Sequence, residues 1–217
     1  MSAVLCYGDS NTWGYEASTQ ERLARWDRWP GVLQRELGDQ VHVIEEGQNG
    51  RTTVFDVPFE PDRNGLTYLP VSLQTHAPLE CVIVDLGTND LFLPGVNAYH
   101  AAQGALKLAE VILASDAGPA GGAPAVLVVV PPPFAAMGEW DVNQSPGAER
   151  ESQRLSQAFR DAVALAAQEG VDVPLLDLRE HVASSPHDGI HFEADGHRAI
   201  GMAVAARLRD LIGSLSP

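Results

Sequence analysis

Two cysteines are too few to staple a chain of 217 residues, so no disulfide framework is expected. Cys6 and Cys81 each fall in an apolar run, where a reduced thiol serves as a small core residue. Basic residues are scarce too: Lys and Arg total 14 against 29 Asp and Glu, a formal net charge of -15. A surface of that sign repels phosphate backbones and anionic lipid, which excludes nucleic acid and membrane surfaces as expected partners. Long hydrophobic runs are missing: stretches such as "AVLVVV" at 125–130 are far too short to span a bilayer. The first residues lack the basic-then-apolar pattern of a signal peptide, so a cytoplasmic location is expected. With no internal repeat and no linker, residues 1–217 read as one domain.

What is present is an alternation. Five short apolar runs stand at 3–7, 41–44, 81–86, 125–130 and 173–178. They are nearly continuous in apolar character and not alternating, the pattern of strands buried on both faces of a parallel sheet. Helical spacing fills the intervals. Over 97–113, Ala101, Ala105, Leu108 and Ile112 share a face, with Asn97 as N-cap. Over 145–169, Leu155, Phe159, Val163 and Ala166 repeat, with Ser145-Pro146 opening the helix and Gly170 stopping it. A short helix is expected at 29–37 and a last one at 194–213. Strands alternating with helices imply a three-layer α/β/α sandwich. The segment 131–146 begins with three prolines and reads as a loop, in the manner of a lid or pocket wall.

In open α/β sheets, ligands bind beyond the carboxyl ends of the strands. The first run ends in Gly8-Asp9-Ser10-Asn11, the second in "EEGQNGRTT" (45–53), the third in "GTND" (87–90). Soon after the fifth comes "HDGIHF" (187–192). A serine hydroxyl needs a base within hydrogen-bond reach to become a nucleophile, and a carboxylate to hold that base. Asp188 and His191, three apart on one loop, are suited to pair through one ring nitrogen and leave the other for Ser10. An oxyanion needs preorganised donors. The Ser10 amide, the Gly50 amide and the Asn89 side chain are the candidates. Ser10 also suits a plain helix cap. Asp9 and Asp90 read as structural carboxylates holding loop amides, Arg51 as one half of a loop-bracing ion pair, and Asp195 as a helix cap.

"GDSNTWG", "EEGQNGRTT", "GTND" and "DGIH", in this order, resemble the four sequence blocks of the SGNH (GDSL) hydrolase family. The similarity spans nearly the whole chain. "WPGVL", "LGTND" and "PPP" bring it nearest to the arylesterase and acyltransferase branch. The resemblance implies Ser10 as nucleophile, Asp188 and His191 completing the triad, and Ser10, Gly50 and Asn89 as the oxyanion hole. It implies a flavodoxin-like strand order 2-1-3-4-5, no metal or other cofactor, and a homo-oligomer. The activity implied is a serine esterase acting on small-molecule carboxylic esters, with water or an alcohol as acyl acceptor. Asn49 departs from the family, where Ser often precedes the block-two glycine, and Asn11 stands where relatives vary. Asn11, Trp13, Tyr15, Trp140 and Ile190 are candidate substrate contacts.

Other readings stay open at this stage. The same triad serves a deacetylase of acetylated carbohydrates. A metal-dependent hydrolase would use His187, Asp188, His191 and Asp195 from the cluster at 187–197. A non-catalytic flavodoxin-like binding module shares the topology, although no glycine-rich phosphate loop follows the first strand.

Overall fold

The computed structural model describes residues 2–136 and 145–213. Its centre is a five-stranded parallel sheet of β1 (Ser2–Gly8), β2 (Val41–Gly47), β3 (Cys81–Asp85), β4 (Ala125–Val130) and β5 (Leu175–Asp177). The order is β2-β1-β3-β4-β5. Side chains alternate between two cores. Leu5, Tyr7, Val82, Val84, Val126 and Val128 face one, while Val4, Cys6, Val43, Cys81, Ile83 and Leu127 face the other. Burial on both faces of β1, β3 and β4 is why those strands read as nearly unbroken apolar runs.

The first core is closed by α3 (Gly65–His76), α4 (Ala98–Leu113) and α6 (Leu155–Gln168). The second is closed by α2 (Trp29–Leu37) and α7 (Ala194–Leu211). A four-residue helix α1 (Ser10–Trp13) follows β1, and α5 (Ala148–Ser152) precedes α6. The chain leaves β1 for β2 across one face and returns to β3 across the other. The resulting switch point lies between β1 and β3, the place where sheets of this kind bind ligands beyond the strand ends. Among the described residues, no helix is long and apolar enough to cross a membrane.

Several boundaries differ from expectation. The helix expected over 145–169 is two helices. Ser145 does not cap it; its hydroxyl faces Phe92 O at 3.5 Å, and left-handed Gly147 opens α5 instead. The break follows Ser152, whose hydroxyl donates to Glu149 O and accepts from Phe134 N, so a side chain competes for backbone groups. Asp195 does not cap α7: Glu193 holds the cap position, and Asp195 Oδ1 accepts from its neighbour Gly196 N. Helix α3 was not expected at all. Pro70 sits inside it and weakens the pattern, but Asn64 secures its start by accepting from Leu66 N and Thr67 N.

Candidate active site

β1 delivers Gly8, Asp9 and Ser10 to the carboxyl edge of the sheet. The cap of α1 is Asp9, not Ser10: Asp9 Oδ1 accepts from Asn11 N at 2.9 Å. That leaves the Ser10 hydroxyl free for another partner. Helix α1 lies unusually close to the strand ends because Gly8 and Gly47 have no side chains. A Cβ on Gly8 would stand 2.0 Å from Thr12 Oγ1, and one on Gly47 2.1 Å from Trp13 N. Thr12 is tied down further by donating to Asp85 Oδ2 at 2.8 Å.

Ser10 Oγ lies 2.8 Å from His191 Nε2, although 181 positions separate the two residues. His191 Nδ1 lies 2.6 Å from Asp188 Oδ2. A carboxylate only accepts, so the ring proton sits on Nδ1 and Nε2 presents its lone pair to the serine hydroxyl. Asp188 is itself held, since its Oδ1 accepts from the amides of Ile190 at 2.9 Å and His191 at 3.0 Å. Burial draws the Asp188 carboxyl upward, but the bonds from His191 and the two amides outweigh it, leaving the group below its ordinary value. This arrangement can pass a proton from Ser10 to His191 and stabilise the resulting imidazolium.

Gly50 turns the loop after β2 with a φ of 76°, in the left-handed region that glycine adopts freely. Among the described residues, none accepts from the Gly50 or Ser10 amide. Asn89 starts a short turn after β3. Its Nδ2 donates to Arg51 O at 3.0 Å and faces Asp9 Oδ2 at 3.3 Å. All three expected oxyanion donors therefore stand just beyond strand ends at the same edge of the sheet.

Arg51 corrects an expectation. Among the described residues Arg51 itself forms no ion pair; the guanidinium donates to Gly8 O and Glu46 O and to the Gln48 side chain, and it stacks 4.1 Å over Tyr7. A planar fork satisfied by carbonyls needs no carboxylate. Three buried carboxylates lie below the site. Burial and the charge of Asp85 push Asp9 well above the usual range, and burial pushes Asp85 and Asp90 up to about 6. Asp90 accepts from the Thr53 amide and hydroxyl. Asp85 was not among the expected functional residues; the signal available was a carboxylate ending the apolar run "CVIVD".

The remaining candidates separate. Tyr15 packs its ring on His191, with centroids 4.3 Å apart. Trp13 is half-buried under Arg22, whose guanidinium lies 4.9 Å from the ring centre. Asn11 is buried in α1, and Ile190 is buried in the first core. Trp140 lies outside the described residues. His187 is exposed, and His197 is fully buried with Nδ1 accepting from Trp29 N at 3.3 Å. Burial, then the nearby His191, lowers His197 to about 3, so it stays neutral. Among the described residues, no three His, Cys, Asp or Glu side chains are grouped to hold a metal ion.

Comparison with known proteins places these features in context. Residues 6–199 match the model of the GDSL-like lipase/acylhydrolase family. The native aryl esterase of M. smegmatis superposes with a TM-score of 0.88 at 37% identity, covering 98% of this chain and 100% of that one. A carbohydrate acetylesterase family member from Sinorhizobium meliloti gives the same score, identity and coverage. A second carbohydrate acetylesterase from that organism is 35% identical, with a TM-score of 0.88 over 98% of this chain and 100% of its own. A search of curated proteins found no significant match.

Proposed function

Given that this chain belongs to the GDSL-like lipase/acylhydrolase family, we propose that it is a serine esterase cleaving short-chain carboxylic esters through an acyl-enzyme. Membership makes it an ester hydrolase; the residue roles and the substrate are the proposal. One observation carries it: the unbroken chain from Ser10 Oγ to His191 Nε2 at 2.8 Å and from His191 Nδ1 to Asp188 Oδ2 at 2.6 Å.

Ser10 Oγ attacks the ester carbonyl as His191 Nε2 takes its proton. Asp188 holds the imidazole tautomer and stabilises the imidazolium. The carbonyl oxygen becomes an oxyanion held by the Ser10 and Gly50 amides and the Asn89 side chain. His191 returns its proton to the departing alcohol as the C–O bond breaks, leaving the acyl group on Ser10. Water then attacks, with His191 again as base, and releases the acid and free Ser10. An alcohol in place of water gives a new ester, so acyl transfer follows from the same geometry wherever water is kept out.

Aryl esters and acetylated carbohydrates stand side by side as substrates, because relatives described by each activity share 37% identity with this chain. The test of mechanism is covalent labelling. A fluorophosphonate should add to Ser10, read by peptide mass spectrometry, and Ser10→Ala should abolish both labelling and hydrolysis of p-nitrophenyl acetate. A chelator should change neither. Chelator-sensitive turnover without labelling supports a metal hydrolase instead, and neither activity nor labelling supports a binding module. Parallel rates on p-nitrophenyl acetate and an acetylated xylose separate the two substrate classes.

A further inference from the structure

The Asn89 side chain sits between the residues that flank the other two proposed oxyanion donors. Its Nδ2 reaches Arg51 O, next to Gly50, and Asp9 Oδ2, next to Ser10. An amide nitrogen carries only two protons, and both are thereby directed at loop acceptors. An oxyanion has to take one of them.

The two bonds are unequal. The contact to Arg51 O is 3.0 Å, and Arg51 is anchored through its guanidinium to the ends of β1 and β2. The contact to Asp9 is 3.3 Å, beyond the usual N–H···O range. Asp9 keeps its stronger bond, from Asn11 N at 2.9 Å, through its other oxygen. It can therefore release Asn89 without giving up the cap of α1.

We propose that Asp9 is a positioning residue for the oxyanion hole: its Oδ2 parks the second Asn89 proton in the resting enzyme and yields it to the developing oxyanion. This rests on the reading of Asn89 as an oxyanion donor. The groups around Asp9 favour the exchange. Asp85 and Asp90 are negative neighbours, Arg51 is the positive one, and Thr88 and Asn11 donate to it. Burial and Asp85 keep the Asp9 carboxyl protonated further up the pH scale, and a neutral carboxyl is the weaker acceptor.

A double-mutant cycle tests it. Asp9→Asn keeps one acceptor oxygen for Asn11 N and turns an amide toward Asn89, where two donors then face each other. Asn89→Ala should lower kcat by about 10²–10³-fold. Asp9→Asn alone should lower kcat by about tenfold with KM unchanged, within the range for coupled neighbours. In the Asn89→Ala background it should cost less than about twofold. Equal losses from Asp9→Asn in both backgrounds, or no loss in either, overturn the proposal while leaving Asn89 as a donor. A normal kcat for Asn89→Ala overturns the donor reading and the proposal with it. Thermal melts establish that each variant is folded. Should Asp9→Asn fail to fold, Asp9→Ser keeps a cap oxygen, removes the contact with Asn89, and completes the same cycle.

Discussion

The ring of Tyr15 lies against the imidazole of His191, its plane tilted by 39° and its centroid 4.3 Å away. Tyr15 also bonds back to the turn that carries Ser10, its amide donating to Ser10 O at 2.9 Å. The same residue thus touches the proposed base with its side chain and the proposed nucleophile with its backbone. Contacts of this kind are worth about 0.5–1.5 kcal/mol. Tyr15→Ala should therefore lower kcat on p-nitrophenyl acetate by roughly 2- to 12-fold, and Tyr15→Phe should stay near wild type. Equal losses in both variants would assign the effect to the hydroxyl instead.

Asp188 fixes the tautomer of His191, so its removal should be costly. Asp188→Asn preserves the shape but can present an N–H toward Nδ1, which favours the wrong tautomer. A loss of about 10⁴-fold in kcat is expected, as for other triads of this kind. A loss under tenfold in steady-state assays would remove Asp188 from the mechanism.

Asp90 should make folding stability depend on pH. Burial pushes its carboxyl up to about 6, against the bonds from Thr53. A raised carboxyl contributes stability that is fully present below the unfolded value near 4 and is lost as pH rises through about 6. Relative to wild type, Asp90→Asn should gain on the order of 3 kcal/mol between pH 4 and pH 7.5. Urea unfolding at the two pH values measures this, and a constant difference between the proteins would refute it.

Gly201 should reverse an ordinary rule. Glycine to alanine inside a helix usually stabilises by about 1 kcal/mol. Here a Cβ would stand 2.6 Å from Val32 Cβ and 2.8 Å from Trp29 O, where α7 crosses α2. Overpacking of this kind costs about 1–3 kcal/mol, enough to outweigh the helix gain. Gly201→Ala should melt a few degrees below wild type; a higher melting temperature would show that the two helices can move apart.

Much of this was legible in the chain itself, for identifiable reasons. Asn97 caps α4 as its position before the apolar stripe requires, and α2 spans the expected residues. Asp188 and His191 meet because both lie on one short loop. Where the reading fell short, a competing contact decided. Arg51 found carbonyls instead of a carboxylate. Ser152 split a helix by bonding across to Phe134. Asn64 started a helix whose proline had hidden it.

The sequence by itself determined the layers and the edge. Residues apolar on both sides of the central strands β1, β3 and β4 can only be satisfied by helices on both faces, and the polar residues just beyond the strands then collect at one rim. It also determined which residue types stand at that rim. Only the tertiary structure decided which of them touch. Ser10 meets His191 across 181 positions, and Asn89 reaches Asp9 across 80 and Arg51 across 38. Those meetings depend on β1 lying between β2 and β3 and on how closely α1 settles against glycine at the strand ends. Both follow from packing among distant segments, which no local pattern of residues encodes.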